Sequence, residues 1–214
     1  LTASGRPGEA VTGSFCGPSA DAAGGALSAG YPARPMEPFD YLAGYPRELV
    51  EAARRGLSDG SLARGLLARY PGRHGVRTNA ALYGLAQELK QRHLRRAPPL
   101  AKVLFDERLT ARESALGLNS RLARVQGGRL ATKREIRIAG LFRDLAPEFL
   151  RLVLVHELAH LKEFDHGPAF YRLCRAMEPD YDQIEFDLRL WLWLRESPAG
   201  AGFPGNPSAA PGVP

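Results

Sequence analysis

Apolar residues recur at helical spacing through the first half of the chain that looks able to fold. Pro46 suits the first turn of a helix over about residues 47–56. Ser58 or Asp59 can cap a second helix, which runs through Leu62, Leu66, Leu67 and Tyr70. Residues 79–96 form a longer amphipathic pattern with Leu82, Leu85, Ala86 and Leu89 on one face, stopped by Pro98 and Pro99. The period then changes. Residues 102–105 are short and apolar, 121–125 and 135–139 alternate, and Gly127-Gly128 reads as a hairpin turn between them. Three such strands predict a small antiparallel sheet. The run Phe149-Leu-Arg-Leu-Val-Leu-Val155 is nearly continuous in apolar residues and leads without a break into His156-Glu-Leu-Ala-His160. Pro147 near its start and its total length favour one buried helix reaching about Phe164 over a strand. Two more helices are expected, over about 168–177 and 182–195. The class is α+β, with a helical region over 36–100 and a second unit over 101–196.

The ends read differently. Residues 1–35 are Gly, Ala, Ser and Pro with almost no large apolar side chains, so they cannot offset their ordering entropy and are expected to be disordered. Met36 opens the first foldable stretch, which fits translation starting there with the preceding residues lying upstream. Residues 197–214 form a second Pro/Gly/Ala-rich tail with the same expectation.

Composition narrows the picture only a little. The 214 residues are 44% hydrophobic and 24% charged, ordinary values for a globular chain. No apolar run approaches the roughly 18–20 residues that cross a bilayer, and no signal peptide is visible. No membrane association and a cytoplasmic location are therefore expected. The two cysteines, Cys16 and Cys174, sit in a tail and on a helix and do not suggest a disulfide framework. The net charge of +6 is carried mostly by Arg, with Lys only at 90, 102, 133 and 162. Arg-rich helices around 64–77 and 90–96 make nucleic acid a candidate partner, on charge alone.

The chemistry concentrates at residues 156–166. Two histidines four apart on a helix leave the same face, separated by about 400° of rotation and about 6 Å of rise. Both imidazoles can reach one zinc ion. Glu157, turned about 100° from His156, is near enough to take a proton from a water activated there without itself binding the metal. A catalytic zinc ordinarily has three protein ligands and one open position. His166 is the leading third ligand, provided that the helix ends and Asp165-His166-Gly167 turns the chain back; Gly167 and Pro168 are breakers suited to that. Glu185 is its rival. Asp180, Asp182, Glu185 and Asp187 are candidates to accept the remote ring N–H of a liganding histidine. His74 and His93, in basic helical surroundings, are expected to be exposed side chains.

His156-Glu-Leu-Ala-His160-Leu-Lys-Glu-Phe-Asp-His166, followed by Phe170-Tyr171 and Pro179-Asp180-Tyr181, resembles the YgjP-like metallopeptidase domain family, a more distant relative of SprT-like and WLM zinc proteases. The resemblance covers about residues 129–193. It implies a zincin-like arrangement of an active-site helix beside a small sheet, with His156, His160 and His166 as zinc ligands and Glu157 as catalytic base. Where many members have Arg-Trp-Gly-Ser-Cys this chain has Ala115–Arg121, and Phe170-Tyr171 stands for Phe-Trp.

The resulting expectation is a zinc-dependent metallohydrolase, peptidase-like, acting on a peptide or protein that adds as a strand beside residues 135–139. A DNA-associated SprT-like protease and a catalytically inactive zinc-binding interaction module are the alternatives.

Overall fold

The computed structural model describes residues 41–109 and 135–200. Six α-helices and two strands are found there. In chain order they are α1 (Arg47–Ser58), α2 (Ser61–Arg69), α3 (Asn79–His93), β1 (Lys102–Asp106), β2 (Glu135–Ala139), α4 (Pro147–Ala159), α5 (Pro168–Met177) and α6 (Tyr181–Glu196). Short 3-10 turns follow β2 at Gly140–Asp144 and α6 at Pro198–Gly200.

Local chemistry accounts for most boundaries. Thr78 caps α3 by accepting the Ala81 amide at 3.1 Å, which satisfies one of the orphan donors of the first turn. Asp59 accepts the Ser61 amide at 2.8 Å, while Gly60 takes the left-handed conformation (φ +73°) that lets α1 turn directly into α2. Pro147 occupies the first turn of α4, where its missing N–H costs nothing. Beyond α6 the chain continues into the 3-10 turn at Pro198–Gly200. Ser197 bonds back to Leu194, and a side chain at Gly200 would collide with the Leu194 carbonyl.

Helix α4 is the centre of the molecule. Phe149, Leu150, Leu152–Val155, Leu158 and Ala159 are all buried, so the helix is apolar on every side rather than along one stripe. It packs against α3, α5, α6 and β2. Helix α6 answers with Ile184, Leu188 and the run Leu190–Leu194. Removing one of these side chains, as in Leu154→Ala, would cost about 2–5 kcal/mol.

The sheet corrects an expectation. β1 and β2 pair directly and in parallel, with Lys102 opposite Glu135 and Asp106 opposite Ala139. They are not antiparallel. Alternation identifies strands and the faces they bury, but it carries no information on relative direction. Parallel pairing needs a crossover connection between the strands, and residues 110–134 of that connection lie outside the described ones. The expected strand 121–125 and its Gly127-Gly128 turn lie outside the described residues. Val103, Phe105, Ile136 and Ile138 bury the inner face of the pair. Arg137 reaches across it to Asp106 at 2.7 Å.

Candidate metal centre

The helix carrying His156 and Glu157 stops at Ala159, five residues earlier than the apolar pattern suggests. His160 is its C-cap residue, and the amides of Leu161, Lys162 and Glu163 close the last turn onto Leu158 and Ala159. The apolar run extended the apparent helix because Leu161 is also buried, although in the turn. That early stop is what lets the chain fold back. Residues 160–167 return to the N-terminus of α5, and His166 comes to face the two helix histidines.

The three imidazoles form one cluster. His166 Nε2 lies 3.1 Å from His156 Nε2, and one nitrogen from each of His156, His160 and His166 lies within 4.8 Å of the others. Ring centroids are 4.8–5.0 Å apart in every pairing. Phe170, from the first turn of α5, packs against all three rings at 4.6–4.9 Å and is fully buried. It forms an apolar floor that fixes the ring planes.

The remote nitrogens decide the tautomers. His160 Nδ1 is 3.0 Å from the Glu163 carbonyl oxygen. A carbonyl only accepts, so Nδ1 carries the hydrogen and Nε2 keeps its lone pair. His156 Nδ1 is 2.8 Å from the Tyr181 hydroxyl, which in turn is hydrogen-bonded to the buried Cys174 thiol. An Nδ1–H donated to the tyrosine oxygen again leaves Nε2 bare. Burial lowers the pKa of all three imidazoles, and their mutual repulsion adds to this at His156 and His160. Neutral rings that can turn a lone pair inward suit a divalent metal. Tetrahedral bonds of about 2.0–2.1 Å would separate the nitrogens by about 3.3 Å, near the spacing of the closest pair. Among the described residues this is the one group of three or more histidine, cysteine or carboxylate side chains that could hold a metal ion.

Glu157 sits beside the cluster, and burial raises its carboxyl pKa to about 7. Among the described residues no ion pair to Glu157 is found. A carboxyl poised near neutrality can take a proton from water and pass it on.

Several sequence expectations need correction. Asp180, Asp182, Glu185 and Asp187 do not hold the histidine N–H groups. Asp182 pairs with Arg175, Glu185 with Arg189, and Asp187 with Arg69, Tyr70 and Gln183. Asp180 precedes α6 at its N-cap position and makes no side-chain cap hydrogen bond. Residue charge pointed to carboxylates, but a phenol and a backbone carbonyl accept as well. His74 and His93 are not exposed either. His74 Nε2 meets the Phe142 carbonyl at 2.7 Å while its Nδ1 accepts the Val76 amide, and His93 is partly buried near Arg151. In the Arg-rich helices, Arg69 pairs with Asp187, Arg77 with Asp144 and Arg92 with Glu88, so part of that charge is spent within the fold.

Fold and site together define an α+β protein with a half-buried three-histidine cluster and an adjacent carboxyl, the equipment of a metal-dependent hydrolase. The family model described as "YgjP-like, metallopeptidase domain" matches residues 86–190. A protein of Escherichia coli (strain K12) named UTP pyrophosphatase is 48% identical over 157 residues, which are 73% of this chain and 94% of that protein. The chain belongs to the YgjP-like family. No solved structure matches it. No helix among the described residues is long and apolar enough to cross a membrane.

Proposed function

We propose that this protein is a zinc-dependent pyrophosphohydrolase that splits UTP with water into UMP and pyrophosphate. The observation that carries the reading is the convergence of three neutral imidazoles beside Glu157, in a chain that aligns with nearly the whole length of a relative named for that activity. The catalytic helix next to a small sheet is read as zincin-like, with His156, His160 and His166 as metal ligands. A divalent metal held by these nitrogens supplies Lewis acidity toward a phosphoryl oxygen and eases deprotonation of water. The rest falls to the chain itself. Glu157 accepts the proton as the water oxygen bonds to phosphorus, the bridging P–O bond between the α and β phosphates breaks, and pyrophosphate leaves. Tyr181 and the Glu163 carbonyl hold two of the rings in register. Phe170 keeps water from behind them.

Peptide hydrolysis is the second reading, favoured by the family description and by a helix of the His-Glu-x-x-His type. The chemistry separates the two poorly, because a base and a Lewis acid serve carbonyl and phosphoryl centres alike. The test is direct. Metal-loaded full-length protein is given UTP, the other nucleoside triphosphates and a peptide library, beside the Glu157→Gln variant. Pyrophosphate is expected from UTP, with a fall of about 10²–10⁴ in Glu157→Gln at unchanged metal content. Wild-type turnover by Glu157→Gln would remove Glu157 as base, and cleavage of peptides without UTP would move the function to the second reading.

A further inference from the structure

Tyr181, Glu185 and Arg189 are four residues apart on α6 and so lie along one stripe of that helix. Tyr181 touches His156. The next two residues of the stripe follow Tyr181 one and two turns further along α6. They are joined to each other: Arg189 donates from Nε and Nη2 to Glu185 Oε1 at 3.1 and 2.6 Å. Arg189 Nη1 reaches the Tyr41 carbonyl at 3.3 Å, and its guanidinium stands 5.8 Å from the centre of the Tyr45 ring. Tyr45 packs on Phe186 at 4.9 Å. From the other side, Tyr171 packs at 5.4 Å on Phe170, the floor of the cluster. Glu185 acts electrostatically on His166, on Tyr45 and on Tyr171, and Arg189 on His156, so these groups share one neighbourhood.

The character of this wall is specific. Glu185 and Arg189 cancel each other's charge. Burial, reinforced by Glu185, raises the pKa of both tyrosines and keeps their hydroxyls protonated as donors. Neither hydroxyl has a hydrogen-bond partner among the described residues, and neither does Glu185 Oε2. The surface thus offers two aromatic rings, two unused hydroxyls and one unused carboxylate oxygen, at zero net charge. A triphosphate would gain little from it. The nucleoside end of a nucleotide is neutral and flat, and the uracil edge alternates an N3–H donor between two carbonyl acceptors. The two tyrosine hydroxyls and the free Glu185 oxygen include the donors and the acceptor that such an edge requires. Cytosine, whose N3 is an acceptor, would set two acceptors against each other there.

We propose that Tyr45, Tyr171, Glu185 and Arg189 form the nucleoside subsite, seating uridine so that the phosphates point at the histidine cluster. This rests on the nucleotide reading above and names the half of the substrate that the reading leaves unassigned.

The test uses calorimetric titration of zinc-loaded full-length protein with UMP, CMP and pyrophosphate, in wild type, Tyr45→Phe and Glu185→Gln. Tyr45→Phe keeps the ring on Phe186 and removes only the hydroxyl, so it reports binding even if Glu185→Gln folds poorly. Wild type should bind UMP more tightly than CMP. Tyr45→Phe should weaken UMP about three- to ten-fold, as expected for one lost hydrogen bond. Glu185→Gln should bring the UMP-to-CMP ratio close to one. Pyrophosphate affinity should hold in both. Unchanged UMP affinity in Tyr45→Phe, or parallel losses of UMP and pyrophosphate, would overturn the subsite. If wild type cleaves UTP while either of those results appears, the subsite falls and the pyrophosphohydrolase reading stands; a wild type that leaves UTP intact removes the reading itself.

Discussion

Replacing Tyr181 by phenylalanine isolates a single oxygen. The ring is 1% exposed and would keep its packing, while His156 Nδ1 would lose its acceptor at 2.8 Å. In the metal-free variant the imidazole has an escape. It can move its hydrogen to Nε2 and share it with His166 Nε2, 3.1 Å away. Metal binding closes that route, because Nε2 must then be bare and Nδ1–H is left buried without a partner. Such a group costs about 1–3 kcal/mol. At 1.4 kcal/mol per factor of ten, this is about a 5- to 150-fold loss of metal affinity, consistent with the 10–100-fold typical of outer partners of liganding histidines. The assay is competition for zinc against a chromophoric chelator, with thermal melts of the metal-free and metal-loaded protein. The stabilisation conferred by metal should shrink in Tyr181→Phe, while the metal-free melt changes little. An unchanged zinc affinity together with equal losses in both melts would refute the argument and make Tyr181 only a core residue.

Other expectations concern the scaffold. Asp187 is 3% exposed and holds Arg69, the Tyr70 hydroxyl and Gln183 together. Asp187→Ala should lower unfolding free energy in urea by about 2–3 kcal/mol, below the usual cost of breaking a buried pair because Arg69 keeps access to water. Arg108 and then Arg137 hold the Asp106 carboxyl well below the usual carboxylate range. A carboxyl depressed in the folded state stabilises fully above its unfolded value, about pH 4, and loses that contribution as the pH falls toward its folded value. Wild type should therefore lose its stability advantage over Asp106→Asn on acidification from pH 6 to 3, followed by denaturant unfolding; a constant difference would count against the pairing.

The readable and unreadable parts of the sequence divide along physical lines. Helix positions were legible because periodicity and stop signals act locally: Pro46, Pro147 and the Pro98-Pro99 pair mark boundaries within a few residues of where they fall. The grouping of His156 with His160 follows from helix geometry alone. His166 needed a turn whose breakers, Gly167 and Pro168, are also local. Relative strand direction was not legible, since β1 and β2 meet through a connection whose path their own alternation does not encode. Nor were the partners of the rings. Tyr181 lies 25 residues from His156, and a preference for charged partners drew attention to its carboxylate neighbours instead. Tyr45 and Arg189 meet only because the segment before α1 lies over α6, a tertiary fact with no local signature.

The parallel strand pair also bears on how the chain reaches this state. Lys102 and Glu135 lie far apart in sequence, and bringing them together from the unfolded chain costs about 3 kcal/mol of loop entropy. Five-residue strands return few hydrogen bonds against such a cost, so the pair depends for its stability on the elements packed against it, α3 and α4. The turn between His160 and His166 is different: it is short, and its length sets whether His166 meets the two helix histidines, so it has little latitude.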